Sequence, residues 1–171
     1  MHTSIIARRI SIIASAIVMM LMGCAPVLSD RFLQEANLSI SFQEILKNPN
    51  LYKEKLVVLG GRIITTTAKD EETWIEVLQQ PLDRQYRPES SDVSYGRFLI
   101  ILKGIVDPVI YASGRRITIA GEVTGNIVMP IQELSYSYPV ISSRELVLIG
   151  PEYYYDSLPR LYYNAGKRNM Q

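Results

Sequence analysis

Hydrophobic residues follow three patterns in turn along the 171-residue chain. Residues 10–22 (ISIIASAIVMMLM) are uncharged throughout, a 13-residue run directly behind Arg8 and Arg9. Around residue 42 the spacing turns helical: Phe42, Ile45 and Leu46 fall on one face at i, i+3 and i+4. Ser41 and Glu44 stand at capping-box spacing ahead of that face, and Asn48-Pro49-Asn50 ends it, so one short helix is expected. From residue 56 the apolar positions come in short β-branched runs between turn residues, the signature of strands.

The strand runs can be placed one by one. Residues 56–67 (LVVLGGRIITTT) hold Gly60-Gly61, which predicts a bulge or sharp bend where another backbone comes close. Residues 68–72 (AKDEE) form a charged turn, and 73–79 (TWIEVLQ) continue as the second strand of a meander. A polar loop with Pro81 and Pro88 spans 81–95. Residues 97–103 (RFLIILK), apolar between end charges, read as a buried central strand. Asp107-Pro108 opens a crossover, with a possible helical turn, that runs to Gly114. In 116–123 the alternation puts Ile117, Ile119, Gly121 and Val123 inward and Thr118, Ala120 and Glu122 outward. Residues 134–149 supply one or two last strands, with Pro139 imposing a break or an edge. This count is that of a mostly β fold, a small five- to six-stranded OB-like Greek-key barrel with one short N-terminal helix. A two-sheet sandwich is the alternative. Beyond Gly150 the pattern stops, leaving an irregular tail, 151–171, with five of the chain's 11 tyrosines.

The apolar run near the start changes the picture from a fold to a location. Its length behind two arginines suits a secretory leader, and it ends in Leu21-Met22-Gly23-Cys24. These residue types resemble the lipobox of bacterial lipoproteins: an aliphatic residue at −3, a small one at −1, then the cysteine that is cut and acylated. A narrow protease subsite needs Gly23, and only the Cys24 thiol can form a thioether with a diacylglyceryl group. Residues 1–23 are therefore expected to be the signal, 24–40 a lipidated tether, 41–150 the barrel and 151–171 the tail. The covalent diacylglyceryl and N-acyl groups on Cys24 are the only groups expected, with no cofactor. The other reading of the leader is a transmembrane helix, since residues 10–28 carry no formal charge over 19 positions, close to the ~20 needed to span. Ala25 after the cysteine, rather than Asp, favours transfer to the outer membrane.

Several matching pieces resemble the Slp family of starvation-inducible outer-membrane lipoproteins. They are Asn48-Pro49 with Leu51-Tyr52, Gly60-Gly61-Arg62-Ile63, Thr73-Trp74-Ile75-Glu76-Val77-Leu78, Pro81-Leu82-Asp83, Gly96-Arg97-Phe98, Asp107-Pro108 and Ile117-Thr118-Ile119-Ala120-Gly121. They cover residues 42–149 in the family's order. The family's glycine after the tyrosine is Glu54 here or absent, and its late tryptophan has no counterpart, because Trp74 is the only one. The resemblance implies an outer-membrane lipoprotein linked to starvation or stress and implies no catalytic residues.

Charge and chemistry point the same way. The chain holds 18 basic and 17 acidic residues; without Arg8 and Arg9 the mature part is 16 against 17, a net −1. Such a balance exerts no pull on nucleic acid, and none is expected as a partner. The single histidine, His2, is expected to leave with the leader, and an acylated Cys24 offers no thiol, so Ser–His and Cys–His catalysis are excluded, ordinary zinc sites nearly so, and no enzyme is expected. Glu76 and Glu122 are expected to face solvent, and Asp107 to bond nearby backbone N–H groups, with Arg97 a candidate partner for it. The candidate interface residues are Tyr153, Tyr154, Tyr155, Tyr162 and Tyr163, amphipathic rings suited to a membrane interface or a protein partner. Two functions fit: a lipid-anchored module binding or supporting another envelope component, or a binding module for a small apolar or lipidic ligand.

Overall fold

The computed structural model describes residues 25–150. The leader with Gly23 and Cys24, and the tail with Tyr153, Tyr154, Tyr155, Tyr162 and Tyr163, lie outside the described residues. Two short helices, α1 (Asp30–Glu35) and α2 (Phe42–Lys47), and a 3-10 turn (Pro49–Tyr52) precede five strands. These are β1 (Leu56–Lys69), β2 (Glu72–Gln79), β3 (Arg97–Lys103), β4 (Arg116–Ile131) and β5 (Leu134–Leu148). They close in the order β1-β2-β3-β5-β4. Every pairing is antiparallel except β3 with β5. This is the expected OB-like barrel rather than the sandwich, with five strands.

β1 makes closure possible by serving two neighbours. Residues 56–62 pair with β4 and 61–69 with β2, so the strand changes partner at Gly61-Arg62. A Cβ on Gly61 would run into the Leu78 carbonyl, and one on Gly60 would stand 2.8 Å from the Ile117 carbonyl oxygen. The glycine pair is thus the close backbone approach that the sequence predicted. The bulge itself falls slightly later, between Ile63 and Thr65.

Inward positions of all five strands fill the barrel: Val57, Leu59 and Ile63; Ile75 and Val77; Phe98 and Ile100; Ile117, Ile119 and Val123; and Ile141. α2 plugs the upper end with Phe42 and Ile45, the Phe42 ring 5.8 Å from that of Phe98. Ser41 and Glu44 cap it reciprocally, as their spacing predicted. The lower end holds the β1–β2 turn, the exit of β5 and the 104–115 connector. That connector is tied on by Gly114 N–H to Ile63 O (2.9 Å), Thr66 Oγ1 to Tyr111 O (2.7 Å) and Val106 N–H to Thr73 Oγ1 (3.0 Å). Its Asp107 carboxylate accepts from Val109 N–H within a single helical turn.

Two expectations need correction. Residues 25–40 are not a free tether: Val27 N–H donates to Gln85 O (3.0 Å), Leu28 is 2% exposed, Ser29 donates twice to Glu145, and Asn37 N–H donates to Leu56 O. The segment also carries a second helix, α1. Thr118 and Ala120 do point outward but are fully buried, and the 80–96 loop folds back over Thr118, whose hydroxyl Tyr86 O accepts. Pro139 lies at an edge, one of the two outcomes expected of it. β5 runs through it, since β3 joins only at Val140 and the missing N–H is not needed there. Of the alternative membrane span, residues 25–28 are non-helical, with Val27 bonded to Gln85 and Leu28 buried, and the rest lies outside the described residues.

Gly61→Ala should lower the unfolding free energy by about 1–3 kcal/mol through the clash with Leu78. Gly150→Ala, with open space around it, should change it by less than ~0.5 kcal/mol. Urea denaturation of both variants checks the contrast. Starting the chain at Ser41 should also destabilise, by about 1.5–3 kcal/mol from loss of buried Leu28.

Candidate functional site on the outer face of the long hairpin

Strand alternation sends Trp74 and Glu76 of β2, and Arg97, Leu99 and Ile101 of β3, to the outside of the barrel, opposite Ile75, Val77, Phe98 and Ile100. Outward positions of a small barrel are ordinarily wet. Here the β4–β5 hairpin extends alongside them. Val123 pairs with Ile141 but Gly125 with Val140, so Thr124 is an extra residue in β4. The bulge reverses the strand's phase. Ile117, Ile119 and Val123 face the core, whereas Ile127, Met129 and Ile131 join the outer face. Gly125 takes a left-handed φ of +137° there, which a side chain would strain.

The outcome is a second apolar cluster outside the barrel. Leu99, Tyr138 and Val140 form its buried floor, with Trp74, Ile101, Ile127, Met129, Ile131 and Tyr136 half-buried around them. Lys69 Nζ lies 3.7 Å from the Trp74 ring centroid, a cation–π contact at the rim. Tyr136 and Tyr138 meet edge to face at 4.8 Å.

One edge of this face is polar and closely bonded. Glu76 Oε1 accepts from Arg97 Nη1 (2.8 Å) and from Tyr138 Oη (2.9 Å), while Tyr136 Oη accepts from Arg97 N–H (2.8 Å). Glu76 therefore does not face solvent as its position suggested; its side chain is 14% exposed. Its partner is Arg97, which leaves Asp107 to the connector turn. The hydrogen bond it donates to Glu76 strengthens the hold of Arg97 on its proton. Burial, and then the bond to Glu76, raise the Tyr138 phenol above its ordinary 10.0. Glu122 pairs with Arg144 on the opposite wall and stays partly exposed.

That opposite wall holds a cleft of about 340 Å³ beneath α1, lined by Arg31, Phe32, Glu35, Leu56, Glu122 and Arg144. Four of the six are charged, and two ion pairs occupy them, Arg31 with Glu35 and Arg144 with Glu122. It is no seat for an apolar ligand. The sequence reading named Glu76, Arg97 and Trp74 but missed Tyr136, Tyr138 and the hairpin residues. Parity placed the former outside, yet only the paired strands reveal that the latter cover them.

Fold and face together define a small OB-like barrel module with one amphipathic outer wall. The sequence profile of the outer membrane lipoprotein Slp family matches residues 21–169, and the chain belongs to that family. An uncharacterized protein of Haemophilus influenzae (strain ATCC 51907 / DSM 11121 / KW20 / Rd) is 31% identical over 137 residues, 79% of this chain and 73% of its own. The uncharacterized lipoprotein YeaY of Escherichia coli (strain K12) is 26% identical over 130 residues, 76% of this chain and 67% of its own. Outer membrane protein Slp of the same strain is 29% identical over 98 residues, 57% of this chain and 52% of its own. The protein is thus an outer-membrane lipoprotein.

The Tyr138 phenol gives a pH test. Folded protein keeps a proton that the unfolded chain releases near pH 10.0, so stability present below that pH is lost as it rises further. Tyr138→Phe should cost about 1 kcal/mol at neutral pH, through one lost hydrogen bond, and should show a shallower fall above pH 10.0. Urea midpoints measured across that range check both.

Proposed function

We propose that the protein is held in the outer membrane by acyl chains on Cys24, after removal of residues 1–23, and acts without catalysis by docking another envelope component. The observation that carries the docking reading is the outer apolar wall built on Leu99, Tyr138 and Val140, with Trp74, Ile101 and Met129 half-open above it. Exposed apolar surface of this kind on a folded module favours association. The Glu76–Arg97–Tyr138 bonds keep its floor rigid. Support for the anchor comes from the family profile, which starts at residue 21 and so includes Gly23 and Cys24. An interface role for Tyr153, Tyr154, Tyr155, Tyr162 and Tyr163, and induction by starvation or stress, belong to the same proposal. A small apolar ligand would have to use this wall too, because the barrel interior is filled by its own side chains.

Mass spectrometry of the mature protein should find residues 1–23 gone and Cys24 carrying acyl chains, and Cys24→Ser should accumulate as unacylated precursor. For the wall, a photo-crosslinker at Ile131 should capture an envelope component in intact cells. Trp74→Glu should abolish that capture while the barrel still folds by circular dichroism. Capture undiminished by Trp74→Glu would reject the docking reading.

A further inference from the structure

The barrel has a membrane-facing end that can be named. The N-terminal segment descends one wall: Asn37 bonds Leu56, which pairs with Glu122; Ser29 bonds Glu145, which pairs with Ala120; Val27 bonds Gln85, whose neighbour Tyr86 accepts from Thr118. From residue 37 to 27 the contacts thus move down β4 from 122 to 118. Cys24 is three residues further on, at most about 10 Å of extended chain. The first described residues, 25–27, thus stand toward the lower end, where β4 starts at Arg116. β5 leaves the barrel at that end too, Ile149 N–H bonding Arg116 O.

The same end presents the connector between β3 and β4. Its turn holds Ile105 at 59%, Val109 at 80% and Ile110 at 50% exposure. The turn is not loose: Tyr111 N–H returns to Asp107 O, Arg115 Nη1 donates to Ile110 O, and Thr73 holds Val106. Three large aliphatic side chains are thus fixed outward at the end toward which the N-terminal segment descends.

Resting on the reading of Cys24 as the acylated residue, we propose that the anchor is a short rivet and that the turn of Ile105, Val109 and Ile110 dips into the same bilayer as a second contact. Docked residues 27–29 leave too little slack for the barrel to tumble. The bilayer is the occupant because the chain delivers its acyl chains to that end. Asp70 and Glu71, on the neighbouring β1–β2 turn, keep the insertion shallow, at the headgroup boundary where apolar side chains partition while charges stay wet. With the lower end down, the Leu134 tip of the hairpin and the wall of Trp74 and Met129 stand away from the membrane.

Cys24 is the sole cysteine, so in the full-length acylated protein an added one is the only free thiol. Val109→Cys and Leu134→Cys are each labelled with an environment-sensitive fluorophore and reconstituted in phosphatidylethanolamine–phosphatidylglycerol vesicles. The Val109 label should shift to the blue and become several-fold less accessible to aqueous iodide, while the Leu134 label, 76% exposed in the native residue, should stay open. Twelve Gly/Ser residues inserted after Ala25 should reduce the difference. Equal quenching at both sites in a protein of acylated mass would overturn the orientation and leave the anchor standing. Protection of Val109 in the unacylated protein, without lipid or detergent, would assign the turn to a second copy of the chain and reject the bilayer. An unacylated mass would defeat anchor and orientation together.

Discussion

The barrel closes through three residue pairs between β3 and β5: Leu99 with Val140, Ile100 with Ile141, and Ile101 with Ser142. Without this short parallel seam the sheet would expose the free edges of β3 and β5, and the interior side chains would face water. The seam has an inner and an outer side. Ile100 and Ile141 belong to the core, and Leu99 and Val140 to the outer cluster. One seam thus positions both apolar layers, which explains why β3 is buried on both faces although it lies in the wall of a small barrel.

The seam depends in turn on how β5 is held by β4. The two strands pair from Ile117–Leu148 up to Ile131–Leu134, far beyond the height of the barrel. A straight hairpin of that length would carry its upper half away from the body. The bulge at Thr124-Gly125 bends and re-phases it, so that its apolar residues meet Trp74 and Ile101 instead of solvent. The outer wall is then no patch on a finished barrel but a product of the same pairing that finishes it. Its polar edge, Glu76 with Arg97 and Tyr138, satisfies groups that the hairpin would otherwise bury unpaired.

The two ends of the molecule carry different chemistry for a topological reason. Strand directions place α2 and the hairpin tip at the upper end, and the connector, the start of β4 and the exit of β5 at the lower. The N-terminal segment runs down the β1–β4–β5 wall, opposite the β2–β3 face where the apolar cluster lies. The N-terminal segment and the wall are thereby separated across the barrel.

What the sequence determined by itself was local or covalent. The signal-like run and lipobox, the Ser41–Glu44 cap, the five strand runs and the glycine pair needing close backbone approach all depend on residues within a few positions of each other, so order and spacing reveal them. The parity of Glu76 and Trp74 was equally legible, but not its consequence. In the sequence, Val123, Ile127, Met129 and Ile131 share one unbroken alternation; only pairing with β5 shows that Thr124 splits them between two faces. In the same way, Leu28 and Ala120 carry no local sign of burial, because what buries them comes from segments distant in the chain. Tertiary structure decided which outward positions are covered and which wall the N-terminal segment follows, since both depend on strand register and on long-range contacts that no local pattern encodes.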